Sequence, residues 1–173
     1  RAARSDAAQV RPAWEKQRGQ LPEAERRYGN ARIAYHAARQ LRPEAHAWYL
    51  EAGKEPLGEV ERAWQVRAAL RAGSWNGVLA AIDGMSASQA AETAWRYWRA
   101  RALAALGRGT EADALYAALA AEDGFYPLLA ADAQGRGAEK MREPRPAAVA
   151  TDPQWLAAFG ARADVKRVLK LAQ

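Results

Sequence analysis

The sequence predicts an all-α protein, a right-handed superhelix or solenoid of antiparallel helical hairpins, and three observations carry that expectation. Ala, Leu, Arg, Glu and Gln dominate the 173 residues while Ile, Val and Thr are sparse, a bias toward helix and away from sheet. Apolar residues also recur at helical spacing. Trp95, Trp98, Ala102 and Leu106 make one stripe and Ala112, Leu115, Tyr116 and Leu119 another, with Gly107-Arg108-Gly109 interrupting the periodicity between them as a short hairpin connection. Finally, Gly73 and Gly107 each close the first helix of a pair, Ala81 and Leu115 lie on the second helices, and both offsets are 34 residues. That is the period of tetratricopeptide-type helix-turn-helix repeats, in which each hairpin covers the apolar face of its neighbour.

Taken in order, a first helix is expected from about Ser5 to Arg18, bent at Pro12. A second follows Leu21-Pro22, with Pro22 in its first turn, and the Gly29-Asn30 pair is expected to break or kink it before it continues through Ile33, Ala37 and Leu41. Pro43 starts a short segment with His46, Trp48, Tyr49 and Leu50, ended by Gly53. A helix from about Leu57 to Ala72 stops at Gly73 and pairs with Trp75 to Ile82, which Asp83-Gly84 closes. Ser86 with Gln89 has capping-box spacing, so the Trp95 helix is expected to begin there and run to Leu106. Thr110 is placed to cap the next helix, to about Ala121, and a further helix runs from about Tyr126 to Ala133. Together these form a superhelical region over 1–134. Gly135-Arg136-Gly137 and Pro144-Arg145-Pro146 then mark 135–151 as a linker. Asp152-Pro153 opens a second helical segment over 152–173, with Trp155 and Phe159 in a short helix before a final amphipathic one.

On the Trp95 helix the opposite side carries Arg96 and Arg99, so a single buried face is expected. Trp64, Trp95, Trp98, Tyr116, Phe125 and Tyr126 read as packing residues, since aromatic rings at helical spacing most often belong to a core. Their alternative use would be stacking on sugar rings.

Composition limits the function classes. The chain has no cysteine, so it has neither disulfides nor thiol chemistry, and no apolar run approaches the roughly 18 residues that span a bilayer. A net charge of +6 could draw a polyanion, but Arg and Lys are spread along every helix and interleaved with Glu and Asp, the pattern of a solvated helical surface. No nucleic-acid motif accompanies the charge, and no nucleic acid is expected as a partner.

No catalytic, cofactor-binding or metal-binding residue is expected. His36 and His46 stand ten residues apart without a helical i, i+4 partner, unlike paired metal ligands. Glu23 with Glu25, Glu51 with Glu55, and Glu122 with Asp123 lie near helix ends or turns, where acids cap or solvate. Gly107-x-Gly109 lacks the preceding strand and third glycine of a dinucleotide loop. No cofactor is expected.

The stretch from Trp64 to Gly135 nevertheless carries a pattern. Arg67-Ala68-Ala69-Leu70 leads to Gly73, Trp95-Arg96-Tyr97-Trp98 opens a helix ending at Gly107, Glu111-Ala112 begins the next, and Gly124-Phe125-Tyr126-Pro127 leads to Ala130-Ala131. In order and spacing this resembles the superhelical, non-catalytic region of the soluble lytic murein transglycosylases of Gram-negative bacteria. Trp95, Tyr97, Trp98, Gly107, Phe125, Tyr126 and Pro127 form the structural signature. The resemblance implies a periplasmic location, associated with the cell wall or outer membrane. It also implies a parent enzyme that cleaves peptidoglycan with one glutamate in a lysozyme-like domain while the muramyl 6-hydroxyl closes an anhydro ring. The family's catalytic Glu-Ser pair and Gly-Leu-Met-Gln segment do not occur here. This chain is therefore expected to be a scaffold segment, with peptidoglycan strands and the missing C-terminal catalytic domain as partners and with glycan contact weak and made through basic surface. The alternative is a free-standing tetratricopeptide-like interaction module, told apart by whether the reading frame continues into the catalytic motifs.

Overall fold

The structure, a computed structural model, describes residues 6–138 and the single position Ala161. Every element among the described residues is helical: α1 (Ala7–Arg18), α2 (Glu23–Arg39), α3 (Ala45–Ala52), α4 (Glu59–Arg71), α5 (Trp75–Asp83), α6 (Ala87–Ala90), α7 (Thr93–Ala105), α8 (Gly109–Ala120) and α9 (Phe125–Ala133). The chain divides into two compact units, Arg1–Gly137 and Ala138–Gln173. The predicted helices after Asp152, and the linker beyond residue 138, lie outside the described residues apart from Ala161. Gly137 and Ala138 are themselves already helical.

Within the first unit, packing follows chain order. Helices α2 and α3, α4 and α5, α7 and α8 pair as hairpins; α1 leans on α2, α4 on α2, α7 on α5, and α9 on both α7 and α8. The all-α, hairpin-built fold class read from the sequence is the one observed.

One chemical device ends α2, α4, α7 and α9. Leu41, Gly73, Gly107 and Gly135 all have positive φ (57°, 66°, 77° and 74°). The amide after each bonds back to the carbonyl five residues earlier: Arg42 to Ala37 at 2.9 Å, Ser74 to Ala69 at 2.9 Å, Arg108 to Leu103 at 2.9 Å and Arg136 to Ala131 at 2.8 Å. This is the Schellman arrangement, which satisfies carbonyls the helix leaves open. Leu41 is the one of these positions whose Cβ must bear the left-handed conformation, a strain of about 1–2 kcal/mol.

Three apolar clusters succeed one another along the stack. Ile33, Ala34, Ala37 and Tyr49 centre the first; Val66, Val78, Ile82 and Trp95 the second; Tyr97, Leu103, Tyr116 and Leu119 the third. Leu79 and Trp98 touch both the second and the third. Fully buried alanines such as Ala34, Ala37, Ala69, Ala100 and Ala130 lie at the helix contacts, and their small side chains allow close approach.

The elements depart from expectation at five places. Helix α2 runs unbroken through Gly29 and Asn30. The glycine is there because the Trp14 ring lies on it, and a Cβ would come within 2.2 Å of Trp14 Cη2. Ser86 does cap, its Oγ accepting from the Gln89 amide at 3.2 Å, but the helix it opens is the single turn α6. The Gln89 side chain turns to the Glu59 carbonyl at 2.8 Å, and Glu92, extended at φ −59° and ψ 140°, starts α7 afresh. Arg108, not Thr110, stands at the N-cap of α8, and Pro22 stands at the N-cap of α2 rather than within its first turn. Finally, α7 buries two faces instead of one. Trp95 and Ala102 join the α4–α5 cluster, while Tyr97, Ala100 and Leu103 join the α8–α9 cluster. A helix packed between two neighbours loses the single apolar stripe of a surface helix.

Candidate functional site

The signature residues concentrate on α7 and the start of α9. Tyr97 is the hub: its ring centroid lies 5.4 Å from Trp98, 6.0 Å from Tyr116 and 5.6 Å from Tyr126. These tilted and edge-on contacts lie in the range where aromatic pairs attract. The Tyr97 hydroxyl accepts a weak hydrogen bond from Arg101 at 3.4 Å, and burial, with Tyr97 close by, pushes the Tyr116 phenol pKa upward. Trp95 is buried in the neighbouring cluster, its indole N–H without an acceptor among the described residues. Gly107 makes the left-handed turn, and Pro127 is buried in the first turn of α9, where a missing N–H costs nothing. Phe125 departs from the packing role expected of it, being 68% exposed at the helix start while its ring meets Tyr126 edge-on at 5.3 Å.

A second feature bridges α4 and α7. The Arg67 guanidinium lies over two indoles, 5.1 Å from Trp64 and 5.3 Å from Trp95. Trp64 packs against the first cluster and Trp95 within the second, so this cation–π contact joins them.

The third feature is a polar network around α1–α3, which sequence reading did not single out. Asn30 is buried. Its Oδ1 accepts from Trp14 Nε1 at 2.7 Å and its Nδ2 donates to the Glu51 carbonyl at 3.0 Å. The Glu51 carboxylate takes Arg11 at 2.5 Å and Arg18 at 2.6 Å. Glu15 joins the same arginines, meeting Arg11 directly and Arg18 at 2.5 Å. Burial opposes the Glu51 charge, but the hydrogen bonds from Arg11 and Arg18 outweigh it and hold the carboxyl below its usual range. The one advance signal was the i, i+4 and i, i+3 spacing of Arg11, Glu15 and Arg18.

Beside this network a groove of about 610 Å³ is lined by Arg18, Gly19, Glu23, Arg26, Arg27, Asn30, Glu51, Gly53 and Lys54. Across α2 an apolar groove of about 700 Å³ runs past Val10, Trp14, Leu21, Tyr28 and Ile33.

Glu51 and Glu111 are displaced downward, Glu111 by its hydrogen bonds with Arg108, whereas a general acid for glycoside cleavage needs a raised pKa. His36 is buried on α2, and His46 rests its ring against Gly77 of α5. Burial lowers the His46 pKa. Among the described residues no group of three or more His, Cys, Asp or Glu is placed to hold a metal ion, and no helix is long and apolar enough to cross a membrane.

Comparison with solved structures finds the same fold elsewhere. Over 99% of its length the chain superposes on part of the 70-kDa soluble lytic transglycosylase solved in complex with bulgecin A, with a TM-score of 0.59 and 25% identity. The chain resembles a soluble lytic transglycosylase. It spans 27% of that enzyme's chain. The likeness read from the Trp95 and Phe125 segments is thus met by a structural match. No family model matches this sequence, and no curated protein matches it.

Proposed function

We propose that this chain is the non-catalytic superhelical scaffold segment of a periplasmic lytic transglycosylase that cleaves peptidoglycan glycan strands, with the catalytic domain outside this chain. The observation that carries the reading is the end-to-end match onto about a quarter of a lytic transglycosylase (27% of that chain). A stack of hairpins, each leaning on the next, makes an extended support rather than an enclosed active site. The same match does not favour a free-standing interaction module.

In this role the chain touches peptidoglycan weakly, through basic surface, and the contact is screened by salt. Sedimentation of the purified chain with isolated sacculi tests this. Binding is expected at low ionic strength and release at high. Chain left in the supernatant at low salt removes direct contact and leaves the role of spacer.

A further inference from the structure

The polar groove beside α2 gathers four cationic side chains, two of them without a carboxylate partner among the described residues, on one surface. Four cationic side chains, Arg18, Arg26, Arg27 and Lys54, share the groove with two carboxylates, Glu23 and Glu51. Arg18 is held by Glu51 at 2.6 Å and by Glu15 at 2.5 Å, and Arg27 by Glu23 at 2.9 Å. Arg26 and Lys54 have no carboxylate partner among the described residues. Arg26 stands on α2 and Lys54 in the α3–α4 connection, so the two free charges face the groove from different elements.

The walls are firm. Asn30 at the floor is buried with both ends of its amide engaged, and Glu51 is fixed by two guanidinium groups. Positions set by packing and hydrogen bonds lower the ordering cost of binding. The mixed lining also bears on what fits. A densely charged chain of phosphates would bring charge against Glu23 and Glu51 as well as against the arginines. A peptide with spaced carboxylates would place single charges at Arg26 and Lys54, while Glu23, 69% exposed and bonded to Arg27 through one oxygen, has its second oxygen to accept the peptide's amide or ammonium protons.

We propose that this groove binds an acidic peptide through Arg26 and Lys54. The inference deepens the contact role proposed above and rests on it only for its biological setting.

The experiment follows fluorescence anisotropy of a labelled peptide with glutamate at alternating positions, titrated with the whole chain at low ionic strength. A glutamine-substituted peptide, inorganic polyphosphate and single-stranded DNA serve as competitors. The paired charge reversal Arg26→Glu with Lys54→Glu is expected to weaken binding by roughly tenfold or more. Arg71→Glu, at the exposed end of α4 and away from the groove, should change it less than about twofold on the same scale. Circular dichroism checks that each variant is folded; should charge reversal disturb the helices, Arg26→Gln with Lys54→Gln carries the test with the same expected direction. Equal losses in the groove and control variants overturn the proposal, as does tighter binding of polyphosphate or DNA than of the acidic peptide. If sacculus sedimentation persists unchanged in the paired groove variant, this inference fails while the contact role stands.

Discussion

Around α2 the helices are tied by a chain of hydrogen bonds from Trp14 through Asn30 to the Glu51 backbone, with Arg11 and Arg18 gathered on the Glu51 carboxylate. Around α7 they are tied by rings, with Tyr97 meeting Trp98, Tyr116 and Tyr126. Both joints hold neighbouring helices, but they draw on different physics. Burying the rings is non-directional and its contribution scales with the area removed from water, with ring-pair geometry adding a smaller part. A buried amide is directional, and its loss strands each partner it leaves behind. The aromatic joint should therefore fail by leaving a void, and the polar joint by leaving donors and acceptors unpaired.

The largest effect is expected at the ring hub. Tyr97→Ala should cost about 3–5 kcal/mol, the range for deleting a buried aromatic side chain, read as a shift in the urea unfolding midpoint at constant slope. Trp98 is only partly buried at the junction of two clusters, so Trp98→Ala should cost less than Tyr97→Ala. The reverse order would place the hub on the wrong residue.

At the polar joint Asn30→Ala should cost about 1–3 kcal/mol, the penalty for leaving a buried polar partner unsatisfied. A double-mutant cycle with Trp14→Phe decides the cause. If the Trp14 N–H is what Asn30 serves, the two losses are not additive; additive losses would mean that Asn30 acts through Glu51 alone.

A smaller change of opposite sign is expected at the turn that closes α2. Leu41 is 55% exposed and holds φ at 57°. Leu41→Gly should stabilise the chain by about 0.5–1 kcal/mol, the relief of strain partly offset by the greater freedom of glycine when unfolded. A neutral or destabilising result would mean that the Leu41 side chain makes a contact worth more than the strain.

These joints differ in how far the amino-acid pattern exposes them. Gly73 and Gly107 were legible as helix ends because the left-handed turn leaves a residue type behind, whereas Leu41 makes the same turn with no such mark. Gly29 looked like a break because its reason sits on another element, in the Trp14 ring. The stripe of Trp95, Trp98 and Ala102 announced one buried face of α7, while Tyr97, Ala100 and Leu103 became a second only once α8 and α9 folded back. The groove was not legible at all: its charges come from residues 18 to 54, spread over a sequence where Arg, Lys, Glu and Asp alternate throughout. Local chemistry shows in the chain; what one element lends another does not.

The smallest effect separates α3 from the aromatic joint by pH. Burial lowers the His46 pKa below its ordinary 6.5, so the folded state takes up its proton later than the unfolded chain does. Stability should be level above about pH 6.5 and fall as the pH drops from there toward the lowered value, the unfolded state binding more protons. The Glu51 carboxyl, also lowered, adds its own loss as the pH falls from its ordinary 4.5 toward the lowered value. Thermal melts across this range should show the first decline in the native chain and not in His46→Gln. A decline surviving that substitution assigns it elsewhere.

The central claim is that this stack of hairpins supports a reaction without performing it. Its most direct test is to incubate the purified chain with intact sacculi and analyse the soluble fraction by mass spectrometry. The account predicts no anhydromuropeptides above the buffer control, even where the chain sediments with the wall; their steady release in proportion to added chain would contradict it.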